Sequence, residues 1–274
     1  PEADRETLLR RASLDLTGQL PTPEERKEFL SDKNPGAWER LVERLLASPA
    51  YGERWGRHWL DAARFAESHG FEQDYDRPYA YHFRDFVIEA LNQDMPFDQF
   101  VVEQLAGDEL VTPPYANLNA EQQDHLIATG FLRTVADGTG QGADPKVARN
   151  AVVAETVKVV STSLLGLTVG CAECHNHRYD PIPQADYYRM RAIFEPALDW
   201  KEWRGPAQRL ITLYTDADRA KSAEIEAEAV KIGEERQKKL AMFIEQIFER
   251  ELAKVPEEHR EKVKLARNTP DKDR

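Results

Sequence analysis

The chain has 274 residues, 41% of them hydrophobic and 31% charged, and its 37 Lys and Arg against 49 Asp and Glu leave a formal charge of −12. That length and apolar content allow a substantial buried core, as one large domain or as a domain plus an appendage. The acidic balance argues against nucleic acid or an anionic membrane surface as a partner, and no apolar run approaches the length of a transmembrane span.

The elements read as mainly helical. Thr22-Pro23-Glu24-Glu25 places an N-cap Thr before a first-turn Pro, with Glu at the third position, and predicts a short helix to about Leu30. Trp38, Leu41, Val42 and Leu45 recur at helical spacing, as do Trp55, Trp59, Ala62, Ala63 and Ala66, with a break near Ser48-Pro49. Phe83, Phe86, Val87, Ala90 and Leu91 mark a further helix closed by Asn92 to Pro96, and Phe97 to Leu105 another that stops at Gly107. Asp144 caps a helix with Pro145 in its first turn that runs to Gly166. After Asp180-Pro181-Ile182-Pro183, an extended turn, Gln184 to Phe194 resume the helical pattern. Leu210 to Tyr214 read as a strand. From Asp216 to about Leu252, Ile225, Ala229, Ile232, Leu240, Phe243 and Ile247 share one face of a long charged helix, as a single element or half of a helical hairpin. The polar stretch from Arg267 to Arg274 reads as a frayed end or a link to another module. The expected organisation is an irregular multi-helix domain over 1–215 built around the motif described next, followed by a helical extension over 216–274.

Between the Asp144 helix and the Asp180-Pro181 turn lies Cys171-Ala172-Glu173-Cys174-His175, which contains both cysteines of the chain. This C-x-x-C-H spacing is the attachment pattern of c-type haem; random placement of two Cys and seven His would produce it in about one such chain in five thousand. Two thiols one turn apart can add to the two vinyl groups on one porphyrin edge, and the next residue, His175, then lies beneath the iron as proximal ligand. The alternatives are zinc held by Cys171, Cys174, His175 and His177, and a C-x-x-C dithiol or disulfide. Crowding disfavours the zinc site. The absence of a βαβ pattern disfavours the thioredoxin-like one.

The order of the segments Leu14-Asp15-Leu16-Thr17-Gly18, Tyr51-Gly52-Glu53-Arg54-Trp55, His58-Trp59-Leu60-Asp61, Gln104-Leu105-Ala106-Gly107-Asp108, Ala128-Thr129-Gly130-Phe131-Leu132, Gly166-Leu167-Thr168-Val169-Gly170-Cys171 and His175-Asn176-His177-Arg178-Tyr179-Asp180-Pro181 resembles the unknown-function module of planctomycete-type exported multidomain cytochrome c proteins. The resemblance covers roughly residues 5 to 215. It implies an exported haem protein, periplasmic or at the cell surface, working in a longer electron path with a neighbouring cytochrome module or a separate redox partner protein. Covalent haem attachment in bacteria takes place outside the cytoplasm, so a chain opening on Pro1-Glu2-Ala3-Asp4 would represent a mature or excised segment.

The sixth iron ligand decides what one covalent haem c does. His58, on a helix among Trp55, Trp59 and Ala62, is the first expectation for the distal ligand; Met190 is the second, and His69 and His82 follow. His177 is placed to serve a second centre or to hydrogen-bond a propionate. Asp74, Asp76, Arg77, Arg84 and Asp85 cluster in sequence, and Arg84 is expected to pair with a propionate. The glycine-rich segment from Asp137 to Asp144 follows no strand, which argues against the dinucleotide fingerprint it superficially matches, and reads instead as a loop at the cofactor edge. The preferred function is single-electron transfer. The alternatives are a haem- or metal-dependent oxidoreductase acting on a bound substrate, carbohydrates included, and a metal- or disulfide-stapled interaction scaffold.

Overall fold

Helix caps written into the sequence start many of the elements of the computed structural model, which describes residues 3–70 and 74–269. Its eleven α-helices among those residues are accompanied by no strand, and a lone antiparallel bridge joins Ser68 and Asp76. α1 (Arg5–Thr17) begins where Asp4 accepts the Thr7 N–H at 2.9 Å and ends at Gly18, whose φ of 70° suits glycine. α2 (Pro23–Ser31) carries a reciprocal capping box: Thr22 accepts the Glu25 N–H at 3.2 Å, and Glu25 accepts the Thr22 N–H at 2.8 Å. With α3 (Ala37–Leu46) these helices bury Leu9, Ala12, Phe29, Ala37, Leu41 and Leu45 in a small core of their own.

The larger core collects side chains from α4 (Pro49–Ala62), α5 (Tyr81–Asn92), α6 (Phe97–Ala106), α7 (Ala120–Ala128), α8 (Pro145–Leu164) and α9 (Gln184–Ala197). α4 and α5 cross closely because Gly52 and Gly56 present no side chain to Ile88 and Val87. Asn92 locks the crossing, accepting the Gly52 N–H at 2.8 Å and donating to the Pro49 carbonyl at 3.2 Å. The alanine pattern predicts that α4 extends to Ala66, but the helix stops at Ala62. Arg64 adopts a left-handed φ of 57°, and the Phe65 N–H returns to the Leu60 carbonyl at 2.9 Å, a helix stop made without glycine.

α8 holds the motif in place. Asp144 accepts the N–H groups of Lys146 and Val147, and Pro145 fills the first turn. Val152, Val153, Val157, Val159 and Val160 are all buried, and at 3.6 residues per turn they fill one broad face of the helix, a little under half of its circumference. Valine disfavours helices, so burial of these side chains, worth about 1.5–3 kcal/mol each, overrides local propensity. Ser161 then accepts at its carbonyl from the Leu165 and Leu167 N–H groups around Gly166, at φ 64°, and the chain turns out of the helix.

Residues 210–214 form no strand and no helix. An extended segment becomes a strand by pairing, and none of the described residues offers a partner ladder; Leu210, Ile211 and Tyr214 are exposed. The chain separates into two compact units, 1–213 and 214–274. The second contains α10 (Asp216–Leu252) and α11 (Glu257–Asn268). Arg267 of α11 pairs with Glu245 at 2.7 Å and stacks its guanidinium 3.9 Å from the Phe248 ring centre. The expected tail over 267–274 falls partly outside the described residues; Arg267 and Asn268 close α11 and Thr269 follows it. No helix among the described residues is long and apolar enough to cross a membrane.

Candidate functional site

The turn after α8 is a short 3-10 helix over Val169–Glu173, with Cys174 at its C-terminal boundary. At three residues per turn the helix carries Cys171 at its centre and hands the chain to Cys174 one turn later. Both thiols are free and exposed. Val169 and Ala172 are buried in the main core and fasten the turn to α8 and α9. The motif therefore sits at the edge of the core, which is built on α4 to α9 rather than around the cysteines.

His175 is exposed, and its Nδ1 lies 2.6 Å from the Asn176 carbonyl oxygen. A carbonyl can only accept, so Nδ1 carries the hydrogen, and in the neutral ring Nε2 keeps a bare lone pair. This is the tautomer of a metal-ligating imidazole whose other nitrogen donates to a backbone carbonyl. The Asn176 side chain also braces the next helix, since its Oδ1 accepts the Gln184 N–H at 2.9 Å and so caps the first turn of α9 from outside. Gln184 in turn donates to the Glu173 carbonyl at 2.9 Å, and the Tyr188 hydroxyl reaches the same oxygen at 3.3 Å.

His177 behaves differently from His175. Its Nδ1 accepts the backbone N–H groups of Asp180 at 2.8 Å and Tyr179 at 3.2 Å, so this nitrogen is bare and Nε2 carries the hydrogen, which it donates to Thr168 Oγ1 at 2.8 Å. Its backbone N–H is taken by the Ile182 carbonyl at 2.8 Å. With both ring nitrogens occupied, His177 staples the residue before the turn to the loop after it. That corrects the expectation that it serves a second centre or a propionate. It also removes His177 from a zinc set, and no group of three or more His, Cys, Asp or Glu among the described residues is arranged to hold a metal.

The expected distal ligands have neighbours of their own. His58 is exposed on α4 with its ring 5.4 Å from that of Trp55, and α4 packs chiefly on α5, whereas the motif turn packs on α8 and α9. Met190, on α9, is partly buried against the main core, the role of a gap-filling apolar side chain. His82 stacks on Tyr81 at 4.2 Å. His69 accepts from Arg77 Nε at Nδ1, 3.0 Å away; burial and the Arg77 charge hold its pKa below the usual histidine value. The loop between His69 and His82 includes residues 71–73, outside the described set. Arg84 is engaged in ion pairs with Asp85 at 2.9 Å and Glu67 at 3.0 Å, which commits the guanidinium expected to meet a propionate to neighbouring carboxylates. An apolar cavity of about 170 Å³ lies between α4, α5 and α6, lined by Trp55, Trp59, Leu91, Met95 and Phe97 among others. It is smaller than the roughly 300–1,000 Å³ of typical cofactor sites, and none of its lining residues belongs to the motif, α8 or α9.

Exposed apolar side chains flank the motif, Leu165, Leu167, Tyr179, Tyr188 and Ile193, interspersed with polar ones such as Asn176, Arg178 and Asp180. The sequence alone singles out neither Thr168 nor Asn176, nor the stapling role of His177. Their signal lies in His175-Asn176-His177 followed by Asp180-Pro181, but assigning hydrogen-bond partners requires the fold.

A family model named PSCyt2 and described as a protein of unknown function (DUF1549) matches residues 1–198, and the chain belongs to that family. No curated protein matches, and no solved structure matches.

Proposed function

We propose that this member of the PSCyt2 family is an exported c-type cytochrome module that attaches one haem through Cys171 and Cys174 and ligates its iron with His175. The observation that carries the reading is the His175 ring: Nδ1–H is committed to the Asn176 carbonyl, which leaves Nε2 free in the residue that follows two exposed cysteines. The exposed Leu165, Leu167 and Tyr179 offer an apolar seat for a porphyrin, and such burial would raise the potential of the bound iron. When bound, the group supplies a one-electron redox centre. The protein's part is to hold the two thiols together, fix the His175 tautomer through Asn176 and keep the loop closed through His177. Export to the periplasm or cell surface follows from covalent attachment, and the electron's destination is a redox partner or a neighbouring cytochrome module.

The exposure of the motif favours a second reading, an oxidoreductase whose iron has an open sixth position. The test is an optical spectrum of the chain produced with a haem c maturation system. A covalent haem band is expected, lost in the Cys171→Ala/Cys174→Ala double variant with helical content unchanged; absence of the band in the parent chain, or its survival in the double variant, rejects the assignment. Insensitivity of the iron to cyanide and carbon monoxide supports electron relay, and ready binding supports catalysis. A spectrum changed by His58→Ala or by Met190→Ala would identify the sixth ligand.

A further inference from the structure

The glycine-rich segment sits at the opposite end of α8 from the motif. It leads into the Asp144 cap, while the motif turn packs beside Lys158 through Gly170, about 20 Å further along the helix at 1.5 Å per residue. The expectation of a loop at the cofactor edge is thereby corrected.

Three arginines surround one buried carboxylate at this end of the molecule. Asp137 is 3% exposed and pairs with Arg209 at 2.6 Å, while its other oxygen accepts the Thr139 N–H at 2.9 Å. Burial pushes the Asp137 carboxyl up; hydrogen bonds from Thr139 and the Arg209 pair outweigh it and leave it below the usual carboxylate value. Arg77 commits all three guanidinium nitrogens, to His69 and to the carbonyls of Thr134 and Val135. Arg133 Nη1 has no hydrogen-bond partner among the described residues; burial, then the charge of Arg209, lowers the Arg133 pKa to about 10. The segment 137–141 and the segment 203–209 hold the cluster between them: Trp203 donates to Thr139 at 3.0 Å, and the Arg209 guanidinium lies 4.5 Å from the Trp203 ring centre.

Three side-chain atoms here are removed from solvent and lack a partner among the described residues: Arg133 Nη1, Arg209 Nη2 and Gln141 Oε1. Gln141 is 2% exposed, and its orientation is fixed because Nε2 donates to the Asp137 carbonyl at 2.8 Å, where an oxygen would be repelled. The free set is therefore two cationic donors and one neutral acceptor. Buried polar groups call for a partner, which a bound species or a water can supply; five other such atoms are scattered singly over the described residues, and these three belong to neighbouring segments of one cluster.

We propose that Arg133, Arg209 and Gln141 form a binding site for a small oxyanion that bears its own hydroxyl, of the 2-hydroxycarboxylate or hydrogenphosphate type. The two guanidinium donors meet the charged oxygens, as arginine forks do, and Gln141 accepts from the hydroxyl. Gly140 and Gly142, at φ 79° and 90°, flank Gln141 and have open space where a Cβ would stand. At that distance along α8 the site is separate from the motif, so it stands whether or not haem is attached.

The test is thermal unfolding of the full chain in potassium glycolate, acetate, hydrogenphosphate and sulfate at constant ionic strength, referenced to chloride. Glycolate and hydrogenphosphate are expected to raise Tm above chloride and above acetate and sulfate respectively. The shift should vanish in Arg133→Met; if that variant does not fold, Arg133→Lys should bind at least about tenfold more weakly. No shift beyond chloride, as when buried water alone satisfies these atoms, overturns the proposal. Equal shifts with and without the hydroxyl overturn it too, as does a shift that persists in Arg133→Met or is undiminished in Arg133→Lys.

Discussion

His175 and His177 are two residues apart and have the same side chain, yet hydrogen bonding gives them opposite capacities. One backbone carbonyl leaves the outer nitrogen of His175 available, and two backbone N–H groups plus a threonine hydroxyl use up both nitrogens of His177. Replacing His177 by Phe keeps an aromatic ring of similar bulk in a site where the native side chain is only 7% exposed, but removes the acceptor for Asp180 and Tyr179 and the donor to Thr168. Losing those hydrogen bonds, which lie at the surface, should cost about 0.5–1.5 kcal/mol in urea unfolding. The haem yield of the co-expressed variant should fall as well, because the turn loses its tie to the loop behind it. Unchanged stability and unchanged yield would show that the staple is dispensable.

At the scale of elements, what is legible in the sequence is whatever local chemistry decides. The Thr22-Pro23 box, the Asp144-Pro145 cap and the aromatic stripe of α5 each announce a helix through groups a few residues apart. α1 escapes because its apolar stripe is thin, Leu9 and Ala12 among charged residues, and only its caps at Asp4 and Gly18 mark it. Residues 210–214 mislead for the opposite reason: their β-branched and aromatic alternation is a strand pattern, and whether a partner exists is a tertiary fact. The close α4–α5 crossing is another such fact. A Cβ at Gly52 would lie 2.3 Å from the Ile88 carbonyl oxygen and 2.7 Å from the Asn92 side chain. Gly52→Ala should therefore destabilise: alanine gains about 1 kcal/mol of helix propensity, but backbone must move to admit the methyl, and overpacking costs about 1–3 kcal/mol or more. A rise in the denaturation midpoint of this variant would mean that the two helices separate without loss.

For the whole molecule, the distribution of buried side chains sets what can be removed. All three hydrophobic cores among the described residues draw on residues up to Leu198, and Trp200 and Trp203 pack against the largest of them. The first compact unit ends at Leu213 and also contains the Arg209–Asp137 pair. In the second unit, Ile225, Val230, Ile232, Leu240, Phe243 and Ile247 of α10 are all exposed, so its helices have little buried apolar surface to hold them. Their local supports are the Thr215 capping box and the Arg267 contacts with Glu245 and Phe248, each worth about 1 kcal/mol or less. A chain ended after Leu213 should therefore unfold cooperatively with a Tm within about 2–4 °C of the parent, the shift that 1 kcal/mol produces in a unit of this size. The complementary piece, 214–269, should melt gradually by circular dichroism, as a helix does when tertiary burial is not there to make it cooperative. Loss of cooperative unfolding in the shortened chain would mean that the first unit depends on the second for its stability.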